Sequence, residues 1–193
     1  KTFDKNKYFI DIGANVGVYS LYASTRGVKV YSFEPEALNF SCLNLNIFDN
    51  KLNKQILAFP IAISDKSDLS VFNLSKLSFG SSGHSFDRKI NESGSTFDSS
   101  FQQGSISCTI DDVVKKFNFT PNYIKIDTDG NELKVIKGMN DTLKLKELNS
   151  ICIELNSNFD EHIEAFEILK NNFKSFKKFE YQDQTVLNYI FYR

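Results

Sequence analysis

The chain reads as an α/β protein: a mostly parallel sheet with helices on both faces and a C-terminal antiparallel hairpin. Three observations predict this. Short apolar runs alternate with helix-period segments along most of the 193 residues, which is the pattern of repeated βα units. The first apolar run leads directly into a small-residue turn, Gly13-Ala14-Asn15-Val16-Gly17, and then into a helix. The second run ends in an acid, Glu34.

The elements follow in order. Tyr8–Ile12 is the first strand, and the helix around Val16–Thr25 stops at Arg26-Gly27, where Gly supplies the terminating turn. Val28–Phe33 is the second strand. Ala37–Asn50 is helical, with Leu38, Cys42, Leu45 and Phe48 spaced to share a face. Ile56–Ile61 is the third strand, ending at Ala62-Ile63-Ser64-Asp65, and the alternation of Leu69–Leu74 suits an added strand. Thr109-Ile110-Asp111-Asp112 opens a helix whose apolar face is Val113, Val114 and Phe117. Tyr123–Ile126 is the fourth strand, Glu132–Leu148 a helix, Ile151–Leu155 the fifth strand and Asp160–Phe173 another helix. Two closing strands, near Lys177–Tyr181 and Val186–Tyr192, join through Gln182–Gln184 as a hairpin.

One segment lacks periodicity. Ser78–Ser105 holds nine Ser and four Gly in 28 residues. Long loops of this kind are functional lids or disordered insertions, and both readings stand.

Bulk properties narrow the function. At this length residues 1–193 are expected to form a single domain with a real core. A net charge of −1 gives no broad phosphate-binding surface, so nucleic acid is not an expected partner. No stretch approaches the roughly 20 apolar residues that span a bilayer, and no secretory leader pattern is visible. Cys42, Cys108 and Cys152 are odd in number and lack metal-ligand spacing. They read as buried free thiols of a reducing compartment, hence a cytoplasmic protein. Five Asn-x-Ser/Thr sequons, at Asn39, Asn73, Asn91, Asn118 and Asn140, are what an Asn- and Ser-rich chain produces by chance. The chain begins without Met, directly before a strand, as an excerpt of a longer protein would. Oligomeric state is not written in any of these features.

The turn and the two acids define a nucleotide-sized site. Gly13 permits a sharp turn and close backbone approach, and the N–H groups opening the next helix are expected to be free for an acceptor. Glu34 lies 17 residues past Gly17 at the end of an apolar strand. A carboxylate there reaches solvent or grips the two hydroxyls of a ribose. Dinucleotide binding wants G-x-G-x-x-G; here Asn15 replaces the middle Gly and the spacing differs. Asp11 at the strand end would repel a pyrophosphate. It would suit a ligand carrying an amine and a sulfonium, as S-adenosylmethionine does and NAD does not.

FIDIGANVGVYSLYAS, YSFEPEALNF, AISD, TIDDV, YIKIDTDGNELKVIKGM and SICIELN, in that order, resemble the FkbM-type S-adenosylmethionine-dependent methyltransferases. The resemblance runs from Tyr8 to about Asn156. Its most specific stretch, Ile124–Glu132, departs from the family's I-K-I-D-V-E-G-A-E at Thr128, Asp129 and Asn131. The second of these shortens an acid.

The resemblance implies a class I methyltransferase fold with a seven-stranded sheet. By that similarity Asp11, Gly13, Ala14, Asn15 and Gly17 would hold the methionine part of the donor. Glu34 with Pro35 would hold the ribose, and Ser64 and Asp65 would border the adenine. Asp127 would face both the donor's amine and the transferring methyl.

An alcohol nucleophile loses its proton as it attacks, so a carboxylate near the methyl can act as general base. Asp127 is the first candidate, with Asp129 and Glu132 behind it. The plain alternative for these two is that they only favour the positive start of the next helix. His84 is an exposed loop residue, or a base that swings in when its loop closes. His162 reads as a surface helix residue. Glu154 and Asn156 have the oxygen ligands a hard cation takes, but their spacing demands no metal and none is assigned.

The expected activity is O-methylation of a hydroxyl on a sugar, glycan or small metabolite. The rival readings are N-methylation of a small acceptor, a NAD-dependent oxidoreductase, and a non-catalytic nucleotide-binding module.

Overall fold

The computed structural model describes residues 4–91, 93–179 and 185–193. The strands before the irregular segment are β1 (Tyr8–Ile12), β2 (Lys29–Phe33), β3 (Ile56–Phe59), β4 (Ala62–Ile63) and β5 (Asp68–Leu74). Then come β6 (Ser85–Phe86), β7 (Phe101–Cys108), β8 (Tyr123–Ile126), β9 (Ser150–Asn156), β10 (Ser175–Phe179) and β11 (Val186–Tyr192). The helices are α1 (Val18–Thr25), α2 (Ala37–Asp49), α3 (Ile110–Phe117), α4 (Glu132–Lys137) and α5 (Asp160–Asn172).

Seven strands form the main sheet in the order β10-β11-β9-β8-β1-β2-β3. β1 pairs in parallel with β2 and β8, and β8 with β9. β11 runs antiparallel to both of its neighbours, completing the expected hairpin; its Gln182–Gln184 turn lies outside the described residues. The chain leaves β1 toward β2 and β3, then returns to build β8 and β9 on the other side. Strand order therefore reverses at the carboxyl end of β1, which is where open α/β sheets hold ligands.

Period-two alternation sorts the side chains between two layers. Ile10, Ile12, Ile124, Ile126, Ile151 and Ile153 pack with α3, α4 and α5. Phe9, Val30 and Ile56 pack on the opposite face with Ala23 of α1 and Leu43 and Ile47 of α2. Each fully buried side chain of this size contributes roughly 1.5–3 kcal/mol.

Five expectations need correction. The buried stripe of α2 is Asn39, Leu43 and Ile47, while Leu45 and Phe48 are exposed. The polar member of that stripe hid it from an apolar period: the Asn39 side chain bonds Gly80 N–H (2.7 Å) and Ser81 C=O (3.0 Å). The helix expected over Glu132–Leu148 ends at Lys137. Gly138 passes so close to another segment that a Cβ there would stand 2.1 Å from the Ser64 carbonyl oxygen. The chain instead makes a short 3₁₀ turn, Thr142–Lys144. Its opening N–H groups, from Asp141 and Thr142, are accepted by the Asp111 carboxylate.

The Ser/Gly-rich segment is ordered where it is described, and it contributes to a second sheet of order β4-β7-β5-β6. β3 stops at Phe59 because Ala62-Ile63 pairs with β7 in this sheet. β7 escaped a periodicity search because its inward positions are Ser105 and Ser107. Finally, the three free cysteines are half-buried rather than fully buried. Burial pushes the Cys108 and Cys152 thiols up to about 11, so both stay protonated at neutral pH.

Replacing Gly138 by Ala forces the Ser64–Asp65 backbone aside. Urea unfolding should show a loss of about 1–3 kcal/mol, and an unchanged midpoint would mean this contact is slack.

Candidate functional site

The β1 turn is built on two left-handed glycines. Gly13 (φ +70) sits against the end of β8, where a Cβ would come within 1.7 Å of the Asp127 carbonyl oxygen. Gly17 (φ +95) meets the Leu43 and Leu21 side chains in the same way. The backbone contact excludes any side chain at Gly13, and the left-handed φ strains one at Gly17.

The turn's own N–H groups are engaged within the protein, whereas none of these bonds involves the amides of Val18, Tyr19 and Ser20 that open α1. Gly13 and Ala14 both donate to the Phe33 carbonyl (3.0 Å each). Asn15 donates to Glu34 Oε2 (2.7 Å), Val16 to the Asn15 side chain (2.8 Å) and Gly17 to the Ala14 carbonyl (2.8 Å). Five consecutive amides are thus spent inside the protein, and none of them is left to cradle a phosphate.

Glu34 closes one wall. Its Oε1 accepts the Glu36 N–H (2.9 Å) and its Oε2 the Asn15 N–H. Each oxygen keeps a second lone pair. Burial pushes the carboxyl up to about 7, against the pull of those two N–H groups.

Lys125, inside the Ile124–Glu132 motif, had no role in the sequence reading. Its Nζ bonds the Gly13 carbonyl (2.9 Å) and Asp127 Oδ2 (3.0 Å) and lies 3.8 Å from Asp11 Oδ1. It also stands 5.3 Å from the centroid of the Tyr19 ring. Burial alone would lower this ammonium's pKa, but Asp11 and Asp127 outweigh burial and raise it. Asp11 is fully buried and raised by burial, with Lys125 and the Ser20 hydroxyl (2.5 Å) pulling it back. It serves as counter-ion to Lys125 and does not reach the cavity.

Beyond β8 the chain forms an acidic loop. Glu132 accepts the Thr128 N–H (2.8 Å), the Thr128 hydroxyl (3.0 Å) and the Gly130 N–H (3.0 Å). His162 is buried, not on the surface: Nδ1 accepts the Asn156 N–H (2.8 Å) and Nε2 lies 2.7 Å from Glu132 Oε2. With Nδ1 an acceptor, the neutral ring carries its proton on Nε2 and donates it to Glu132. Burial opposes ionisation of Glu132, but the His162 bond and the Thr128 N–H outweigh it and lower the carboxyl's pKa. Glu132 is therefore a strut under the loop, neither a base nor a mere helix-start charge. Arg88 adds a second brace, bonding the Gly130 carbonyl and, with two nitrogens, the Glu161 carboxylate (2.6 Å each).

The Ser78–Phe86 stretch lies over the site. Ser81 C=O accepts the Asn15 and Asn39 side-chain amides (3.1 and 3.0 Å). Asp129 Oδ2 accepts the N–H groups of Gly83 (2.7 Å) and His84 (3.3 Å). His84 is buried rather than exposed. Its Nδ1 accepts the Ser75 N–H (3.2 Å) and its Nε2 meets the Ser81 hydroxyl (3.0 Å).

These elements enclose a cavity of about 340 Å³. Gly13, Ala14, Asn15, Glu34, Pro35, His84, Asp127 and Asp129 line it, as sequence reasoning placed them. Asp11, Gly17, Ser64 and Asp65 do not. The Ser64 hydroxyl turns to Asp65 (3.1 Å) while its carbonyl lies under Gly138, so Ile61, Ala62 and Ile63 line the wall in their place. Phe72 and Phe86 of the second sheet make that end apolar. Glu154 and Asn156 are used locally, by Asn188 Nδ2 (3.3 Å) and Asn158 N–H (2.9 Å) respectively.

The residues fit a donor with a flat apolar base, a ribose and a cationic centre. Apolar walls, an acid with two spare lone pairs and further carboxylates follow one another around a single cavity.

This sheet order, with a reversed β11 and a cavity at the β1 switch point, defines a class I methyltransferase fold. The chain belongs to the FkbM methyltransferase family, S-adenosylmethionine-dependent enzymes whose "Methyltransferase FkbM domain" model matches residues 11–181. A curated relative, the hexuronic acid methyltransferase AglP of Haloferax volcanii, is 27% identical over 151 residues, covering 78% of this chain and 56% of its own. The crystal structure of a methyltransferase FkbM from Methylobacillus flagellatus KT superposes with a TM-score of 0.67 at 15% identity, covering 98% of this chain and 44% of that one. The N-terminal domain of human METTL16, solved with S-adenosylhomocysteine (SAH), gives 0.54 at 16% identity, covering 96% and 60%. The chain thus spans about half the length of the first two.

Lys125→Met leaves Asp11 buried without its counter-ion, and denaturant unfolding should show a loss of about 3–5 kcal/mol. Adding Asp11→Asn, which still accepts from Ser20, should restore part of that loss. Additive losses in the double variant would contradict the pairing.

Proposed function

We propose that this chain is the catalytic part of an S-adenosylmethionine-dependent methyltransferase acting on a hydroxyl of a sugar, glycan or small metabolite, and that residues 1–193 act as one domain. The observation that carries the donor is the β1 turn, whose five spent amides disfavour the phosphates of NAD. The spare lone pairs of Glu34 suit a ribose diol. Support for a sugar acceptor comes from the name of the AglP relative.

The donor supplies an electrophilic methyl on a positively charged sulfur. The protein's part is positional and electrostatic. Glu34 fixes the ribose, and Ile63 with Phe72 and Phe86 sandwiches the base away from water. Lys125 holds Asp127 at the rim of the cavity, where a carboxylate favours cationic groups. The Ser78–Phe86 stretch covers the cavity and leaves the acidic loop as the acceptor's side. Among the described residues no helix is long and apolar enough to cross a membrane.

Calorimetric titration should show binding of S-adenosylmethionine and SAH but not NAD. Incubation with the donor and methyl β-D-glucoside or methyl β-D-glucuronide should add one methyl group in a form that survives mild alkali, as an ether does and an ester does not. Binding of NAD alone would reject the donor. An alkali-labile product would reject the hydroxyl.

A further inference from the structure

Two acids border the cavity beyond the β1 turn, and their surroundings differ. Asp127 is tied to the Lys125 ammonium at 3.0 Å. Among the described residues Asp129 has no cation against it. The charged groups facing it are Asp127 from β8 and Glu132 from α4, both acids. The nearby cations are engaged elsewhere: Lys125 by Gly13, Asp11 and Asp127, and Arg88 by Gly130 and Glu161. Glu132 itself is answered by His162 from α5.

The backbone presents Asp129 deliberately. It adopts φ +53, a left-handed conformation that few residues other than Gly, Asn and Asp take. Its Oδ2 is clamped by the Gly83 and His84 N–H groups. Its Oδ1 accepts no hydrogen bond from the described residues, and the side chain lines the cavity. His84 lines the same cavity but has no lone pair to offer: Nδ1 is filled by the Ser75 N–H, so the neutral ring's proton sits on Nε2 toward Ser81.

We propose that Asp129 is the base that takes the acceptor's hydroxyl proton, while Asp127, held by Lys125, is the fixed anion beside the donor. This rests on the reading that the cavity holds a sulfonium donor. In the step, the acceptor oxygen forms a bond to the methyl carbon as the carbon–sulfur bond breaks. That bond's electron pair stays on sulfur, which becomes a neutral thioether. The hydroxyl proton passes to Asp129 Oδ1 and then to solvent.

The same arrangement arms the base. Burial, and then the Asp127 charge, push the Asp129 carboxyl up to about 7 against the two loop N–H groups. Near neutral pH much of it is protonated before the donor arrives. A positive sulfur beside it favours the carboxylate and expels that proton. The donor therefore prepares its own base, and SAH, with a neutral sulfur, does not.

Calorimetry at pH 7 in two buffers of different ionisation enthalpy reads the protons released on binding. Glu34 meets the ribose of both ligands, so its part cancels when SAH is subtracted from S-adenosylmethionine. The wild-type protein should release about half a proton more with S-adenosylmethionine. Asp129→Asn, which suits the left-handed backbone, should abolish the difference and weaken S-adenosylmethionine binding by about fivefold or more while leaving SAH affinity unchanged. Equal release for the two ligands in the wild type, or a difference that survives in Asp129→Asn, would overturn the assignment. Failure of both ligands to bind the wild type would remove the donor reading and this proposal with it, so the two failures are told apart.

Discussion

Lys125 puts a charge where a charge is costly, with its side chain only 8% exposed between the β1 turn and the end of β8. An ammonium there is tolerated because Asp11, Asp127 and the Gly13 carbonyl surround it. The arrangement ties three pieces of the site together. Asp11 comes from β1, the carbonyl from the turn and Asp127 from the end of β8. Gly13 completes it, since any side chain there would strike the Asp127 backbone. Moving one of these groups moves the others, so the cavity's floor behaves as a unit.

That floor explains the choice of ligand. A helix start after a Gly-rich turn is ordinarily an anion site, because its amides point outward. Here the turn is folded onto β2 and Glu34, and its amides are consumed. What faces the cavity is carboxylate: Glu34, Asp127 and Asp129, with Lys125 already matched. With Glu34 and Asp129 both raised to about 7, a cationic donor draws out their charge, which a dinucleotide's phosphates would oppose. The relation to other methyltransferases of the FkbM family is consistent with this electrostatic choice.

The parts of the fold written in local pattern were legible. β1 with its turn, the β2–Glu34 end, β8, α5 and the closing hairpin all follow from apolar runs punctuated by Gly and acids. The parts set by tertiary contact were not. Asn39 interrupts the buried stripe of α2 because it anchors the Ser81 loop. α4 is short because Gly138 must pass beside Ser64. β7 faces inward with Ser105 and Ser107, which no hydrophobic pattern marks. In the site, Gly13 and Glu34, read from spacing, and Asp127, read from the family resemblance, line the cavity, whereas Asp11 and Ser64 are not among its lining residues. His162 looked like a helix-surface residue until Glu132 was seen to need a donor. Lys125 had a signal: a lysine at the centre of an apolar strand requires a partner, and two acids at strand ends were available.

Donor binding in this cavity requires a ribose seated on Glu34 with a sulfur centre extending toward the acids beyond β8. A crystal structure of the SAH complex tests this most directly. Both ribose hydroxyls should lie within hydrogen-bond distance of Glu34 Oε1 and Oε2, with the sulfur nearer Asp127 and Asp129 than the adenine is. A ligand lying elsewhere, or one whose ribose leaves Glu34 untouched, would contradict it.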